Sequence, residues 1–81
     1  METNNGDPYT TTDMYFAAYL KVAAVPFIDT EKKDKQVVFL FENQGGTIMR
    51  DLKRQYFSGK SKVSALDLVQ SIKWAKQLTH L

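Results

Sequence analysis

The sequence predicts a single small α+β domain with elements in the order α-β-β-α-α, an antiparallel β-hairpin packed against helices. Three observations lead there. An apolar stretch with helical spacing precedes Pro26, a β-branched and aromatic run, QVVFLFE, fills residues 36–42, and two more helical patterns follow it. With 81 residues, 43% hydrophobic and 12% aromatic, the chain has enough apolar material for one core and too much for disorder. It has no cysteine, so neither disulfides nor a thiolate metal site can supplement that core.

The opening residues, METNNGDPY, are polar, contain Gly6 and Pro8 and show no periodicity. They read as a flexible arm over 1–9, which leaves 10–81 as the domain. The first helix starts at the threonine run, with Thr10 or Thr12 as cap and Asp13 in the first turn, where the helix dipole favours negative charge. Within it Phe16, Tyr19, Leu20 and Ala23 recur at helical spacing, and Lys21 is the only charge after Asp13. Such a helix is buried on most of its circumference. Pro26 ends it by disfavouring a helical Val25.

A first strand over 26–30, a polar loop EKKDK over 31–35 and the strand 36–42 make the hairpin. The second strand has two apolar faces, Val37/Phe39/Phe41 and Val38/Leu40. An isolated hairpin is marginal, so both faces need cover from helices, the arm or a second copy of the chain. That need makes the strand 37–41 a candidate homodimer or protein-interaction surface.

Residues 43–46 turn into a second helix, about 47–57, with Ile48, Leu52 and Tyr56 at i, i+4, i+8 and Met49 alongside. In the third helix Ser64-x-x-Asp67 reads as a capping box with aspartate in the usual glutamate place. Its stripe is Ala65, Leu68, Ile72 and Ala75, broadened by Leu66, Val69, Trp74 and Leu78.

Gly59-Lys60-Ser61 has the look of a phosphate loop. A Walker loop needs a glycine five residues before this one, where Arg54 stands, and a buried strand leading in, where MRDLKRQYF is helical. Gly59 is therefore expected to end a helix in the left-handed conformation. Other chemistry is equally thin. His80, the only histidine, is next to last, no paired carboxylates stand out, and the serines and threonines lack a base. The expectation is a protein that is not an enzyme and carries no metal or cofactor.

Charge is the remaining signal. Residues 1–43 hold four basic and seven acidic side chains, net −3, and residues 44–81 hold seven basic and two acidic, net +5. The basic set, Arg50, Lys53, Arg54, Lys60, Lys62, Lys73 and Lys76, spans the second helix, the connection and the third helix. Such side chains bind phosphates by releasing counterions, and the third helix has few polar residues able to read base edges. The partner this predicts is nucleic acid, held by its backbone without sequence reading.

The segments TTDMYFAAYL, VVFLFEN and RQYFSGKSKVSALDLVQSIKWAKQL together resemble a family of small bacterial and phage proteins, a domain of unknown function. The resemblance runs from Thr11 to Leu81 and rests on core patterns. It implies a phage or prophage accessory protein and supplies no catalytic residue. No apolar run approaches the ~20 residues of a membrane span. With the absence of cysteine, this points to the cytoplasm of a bacterial or phage-infected cell.

Overall fold

The computed structural model describes residues 7–59 and 63–80. The three helices and the hairpin appear in the predicted order, preceded by one short strand that the sequence did not announce. The elements are β1 (Tyr9–Thr11), α1 (Met14–Val22), β2 (Phe27–Lys33), β3 (Gln36–Phe41), α2 (Gly46–Ser58) and α3 (Ala65–Thr79). The sheet is antiparallel in the order β1-β3-β2.

β3 is central because it alone is apolar on both faces. Tyr9, Phe41 and Phe27 form one cross-strand row, and Thr11, Phe39 and Thr30 form the next row on the same face. Phe39 and Phe41 are fully buried beneath the helices. Trp74 of α3 closes over this face, its ring 4.9 Å from Phe27 and perpendicular to it. Tyr9, expected in a flexible arm, instead pairs with Phe41 and packs edge-on against Phe16. Residues 1–6 of that arm lie outside the described residues.

β2 runs longer than predicted, taking in Glu31, Lys32 and Lys33, and only Asp34 and Lys35 turn the chain. Charged residues tolerate this strand because it is an edge, where they also discourage pairing with other chains. Asp34 sits at φ 56, in the left-handed region that a two-residue hairpin turn requires. A bulge falls between Phe27 and Asp29, leaving Ile28 half exposed.

α1 departs from prediction at both ends. Its cap is Asp13, not a threonine. The Asp13 carboxylate accepts from the amides of Tyr15 (2.9 Å) and Phe16 (3.1 Å), while Thr11 Oγ1 accepts from Asp13 N–H. At the other end the helix stops at Val22, before Pro26 exerts its effect. Val25 N–H donates to Leu20 O and Ala24 N–H to Lys21 O, the bonds of a Schellman cap. Ala24 occupies the left-handed position at φ 67, where glycine is usual. Val25 and Leu20, brought together by the cap, are both buried.

α1 packs against both other helices, and no comparable packing joins α2 to α3 among the described residues. Toward α3 the contact is small and tight, with Ser71 Oγ donating to Ala18 O at 2.8 Å inside the core. Toward α2 it is aromatic: Phe16 and Tyr19 lie 5.2 and 5.3 Å from Tyr56. α2 begins after Gly45, whose φ 102, ψ 148 belongs to a region essentially closed to other residues. Asn43 Oδ1 accepts from its amide.

Candidate nucleic-acid interface

α2 ends as the sequence predicts, with Gly59 left-handed at φ 75 and its amide turned back to Gln55 O and Tyr56 O. α3 begins as predicted too, with Ser64 Oγ accepting from Asp67 N–H. The glycine of the Gly-Lys-Ser run is thus a helix terminator. Among the described residues no group of three or more histidines or carboxylates stands together as a metal site.

The inward stripe of α2 is rotated from the predicted one. Met49 is buried and Leu52 and Tyr56 half-buried, while Ile48 is exposed. On α3, Ser71 and Ala75 form the buried line, with Leu68, Ile72 and Leu78 beside it, and Leu66 and Val69 face outward. These rotations decide where the cations point.

Arg50, Lys53 and Arg54 are all exposed. Spaced three and four residues apart, they share one flank of α2 with Phe57. That flank faces the β1 edge of the sheet. Tyr9, Met49, Arg50 and Lys53 border one recess there. Lys53 and Phe57 border another, a cleft of about 450 Å³ lined also by Lys33, Val38, Phe16 and the stretch Thr10–Asp13. Lys33, which sequence reasoning left out of the basic set, is therefore part of this surface. Its place was not legible in the sequence, because the charged run 31–35 reads as a loop and only the folded chain brings it to this cleft.

Lys73 and Lys76 are exposed on α3, the helix whose Trp74 packs against Phe27 of β2 and Phe39 of β3. The structure brings Arg50, Lys53 and Arg54 together, and holds these two on a different helix. Lys60 and Lys62 lie outside the described residues. Among the described residues, none of the five described cations makes a hydrogen bond or ion pair.

Phe57 is 64% exposed and Tyr15 49%. Phe57 is nevertheless held from behind, perpendicular to Tyr56 at 4.9 Å and roughly parallel to Phe16 at 6.3 Å. Burial pushes the phenols of Tyr9 and Tyr19 above their ordinary pKa. Tyr56 is raised chiefly by burial and further by the nearby Asp13 and Tyr15.

Fold and surface together define a small α+β domain with a cationic, aromatic flank along one helix. The chain belongs to the family described as domain of unknown function DUF5659, whose model matches residues 6–65. The match takes in the whole sheet, α1 and α2. It stops where α3 begins, short of the span that the sequence segments suggested. No curated protein and no solved structure matches the chain. No described helix is long and apolar enough to cross a membrane.

Proposed function

We propose that this chain is a non-enzymatic accessory module of phage or prophage type that holds nucleic acid, without reading its sequence, on the cationic flank of α2. The observation that carries the reading is the grouping of Arg50, Lys53 and Arg54 on one flank, with Lys33 bordering the same cleft as Lys53. None of them has a protein partner among the described residues, so their charge is free for phosphate. Exposed surface cations of this kind neutralise phosphates by counterion release, which gives binding that weakens steeply with salt. The absence of cysteine suits a reducing cytoplasm, where such a partner is at hand. The phage or prophage origin rests on the resemblance of the three sequence segments alone.

The competing use of strand 37–41 as a dimer or protein-binding surface has less material than its sequence suggests. Phe39 and Phe41 are buried, and β1 and β2 flank β3, which leaves Val38 and Leu40, both half-buried, for a partner.

The test is a titration of labelled oligonucleotides at about 50 mM salt, repeated at rising salt. Binding that falls linearly on a log–log salt plot, and is lost in Arg50→Glu/Arg54→Glu, is the expected result. No binding at that salt, or binding untouched by the double reversal, removes the reading.

A further inference from the structure

We infer that the nucleic acid suited to this flank is single-stranded, with a base stacked on Phe57 while Lys53, Arg54 and Arg50 take the phosphates. This rests on the nucleic-acid reading above and names the form of the ligand.

The starting point is an anomaly in a small core. A chain of this length needs its aromatic rings inside, yet Phe57 remains 64% exposed at the end of α2. It is not loose. Tyr56 stands roughly perpendicular to it at 4.9 Å and Phe16 roughly parallel at 6.3 Å, so two rings orient it while most of the side chain stays open to solvent. An aromatic ring oriented by its neighbours and open to solvent is the unit of single-strand binding, because every base has a face to stack and no particular base is required.

The cations sit where the backbone of such a strand would run. Lys53 and Arg54 precede Phe57 by four and three residues and Arg50 by seven, so all project from the same flank within two helical turns. Lys33 borders the cleft beside the ring. One carboxylate shares that cleft, Asp13, and it is turned to the amides of Tyr15 and Phe16 as their cap. Duplex nucleic acid keeps its bases stacked inside and offers this surface only phosphates. A base has to leave the stack to reach Phe57, which costs a duplex a base pair and its stacking and a single strand little.

The experiment compares a labelled single strand of about 12 nucleotides with its blunt duplex, by fluorescence anisotropy at about 50 mM salt. Wild type, Phe57→Ala, Phe57→Trp and Arg50→Glu/Arg54→Glu are used, each with its thermal midpoint measured. The single strand is expected to bind about tenfold more tightly than the duplex. Phe57→Ala should lower single-strand affinity about tenfold, in keeping with the loss of one stacked base, with duplex binding and salt slope unchanged. Phe57→Trp should restore it. The double reversal should weaken both ligands. Equal binding of strand and duplex, with Phe57→Ala silent and the double reversal still active, overturns stacking while the cationic flank stands. Displacement of the strand by inorganic polyphosphate as readily as by unlabelled strand, phosphate for phosphate, overturns it too. Failure of both the single strand and the duplex to bind wild type overturns both readings.

Discussion

Toward α3, α1 offers Ala18 to the stripe of Ser71 and Ala75, whereas toward α2 it offers Phe16 and Tyr19 to Tyr56. The first seam is made of small side chains, is closed to water, and is fixed by a buried hydroxyl bonded to a helix carbonyl. The second is made of large rings that bury most of their area, and its rim, Phe57 and Tyr15, faces solvent. Both seams hold helices to the same middle helix. The alanine seam is closed along its buried line, and only a recess of about 310 Å³ between Lys21 and Val22 of α1 and Ser71 and Trp74 of α3 opens at its border. The aromatic seam leaves rings and cations at its border, and there the candidate interface lies.

The sharpest way to break this contrast is to enlarge a residue of the small seam. Ala75 is fully buried, so Ala75→Leu adds three carbons where there is no space and forces α3 away from α1. Overpacking of this sort costs about 1–3 kcal/mol. In a domain this small that lowers the thermal midpoint by roughly 4–8 °C per kcal/mol. Ser71→Ala, which only deletes the hydroxyl, should cost about 1 kcal/mol. If Ala75→Leu leaves the midpoint unchanged, the seam is not close-packed and the contrast fails.

The aromatic seam should instead respond to alkali. Burial raises the phenols of Tyr9, Tyr19 and Tyr56, so the folded state favours their neutral form. A phenol whose folded pKa lies above its unfolded value contributes stability that is present below that value and lost as pH climbs through the raised one. The thermal midpoint should therefore hold near neutrality and fall once pH passes the ordinary phenol value of 10.0. Tyr56→Phe should make the fall shallower. A midpoint flat through that range in the wild type would mean these phenols are wet.

A smaller effect, of opposite sign, belongs to the end of α1 between the two seams. Ala24 holds φ 67 because the Schellman bonds demand it, although its Cβ pays a steric penalty there. Ala24→Gly relieves that penalty and should stabilise the fold by up to about 1 kcal/mol, read in a denaturant midpoint. Loss of stability would mean that the cap geometry is wrong.

Much of this architecture was readable because it rests on local chemistry. The apolar run Val37–Phe41 has one plausible home, Gly59 and Ser64 are helix punctuation, and the helix order follows from periodicity. β1 was not readable, since three residues, Tyr9–Thr11, are too few to show an alternation and owe their conformation to the edge of β3. The extension of β2 through Glu31–Lys33 was hidden by its charges, which an edge strand accepts and a sequence window reads as loop. Asp13 and Thr12 both qualify as caps by residue type, and only the path from β1 into α1 selects Asp13. The cations of the candidate interface were visible as a list of basic residues, but their grouping was not. A rotation of about one residue in the buried stripe of α2, from Ile48 to Met49, sets which flank they share. The exposure of Phe57 was hidden for the same reason, because a string cannot show which ring a small core leaves out.

The smallest expected effect on stability is the one that separates the two flanks in function. Arg50→Glu/Arg54→Glu on α2 and Lys73→Glu/Lys76→Glu on α3 each reverse two exposed cations and so change the net charge equally. Exposed charges contribute little to folding, about 0–1 kcal/mol per pair, so both double variants should keep a midpoint close to that of the wild type. If affinity for an oligonucleotide depended on net charge alone, the two would lose it equally, because long-range attraction counts charge rather than position. If phosphates dock on the aromatic border of α2, the α2 variant should lose far more, and its salt slope should drop by about two counterions' worth while that of the α3 variant keeps most of its value. An equal loss would mean that net charge alone sets the affinity or that the interface spreads over both helices, and either outcome removes the α2 border as the particular docking site. A loss confined to α3 would move it to the small-residue side, where Phe57 has no part, and the link between the exposed ring and the ligand would go with it.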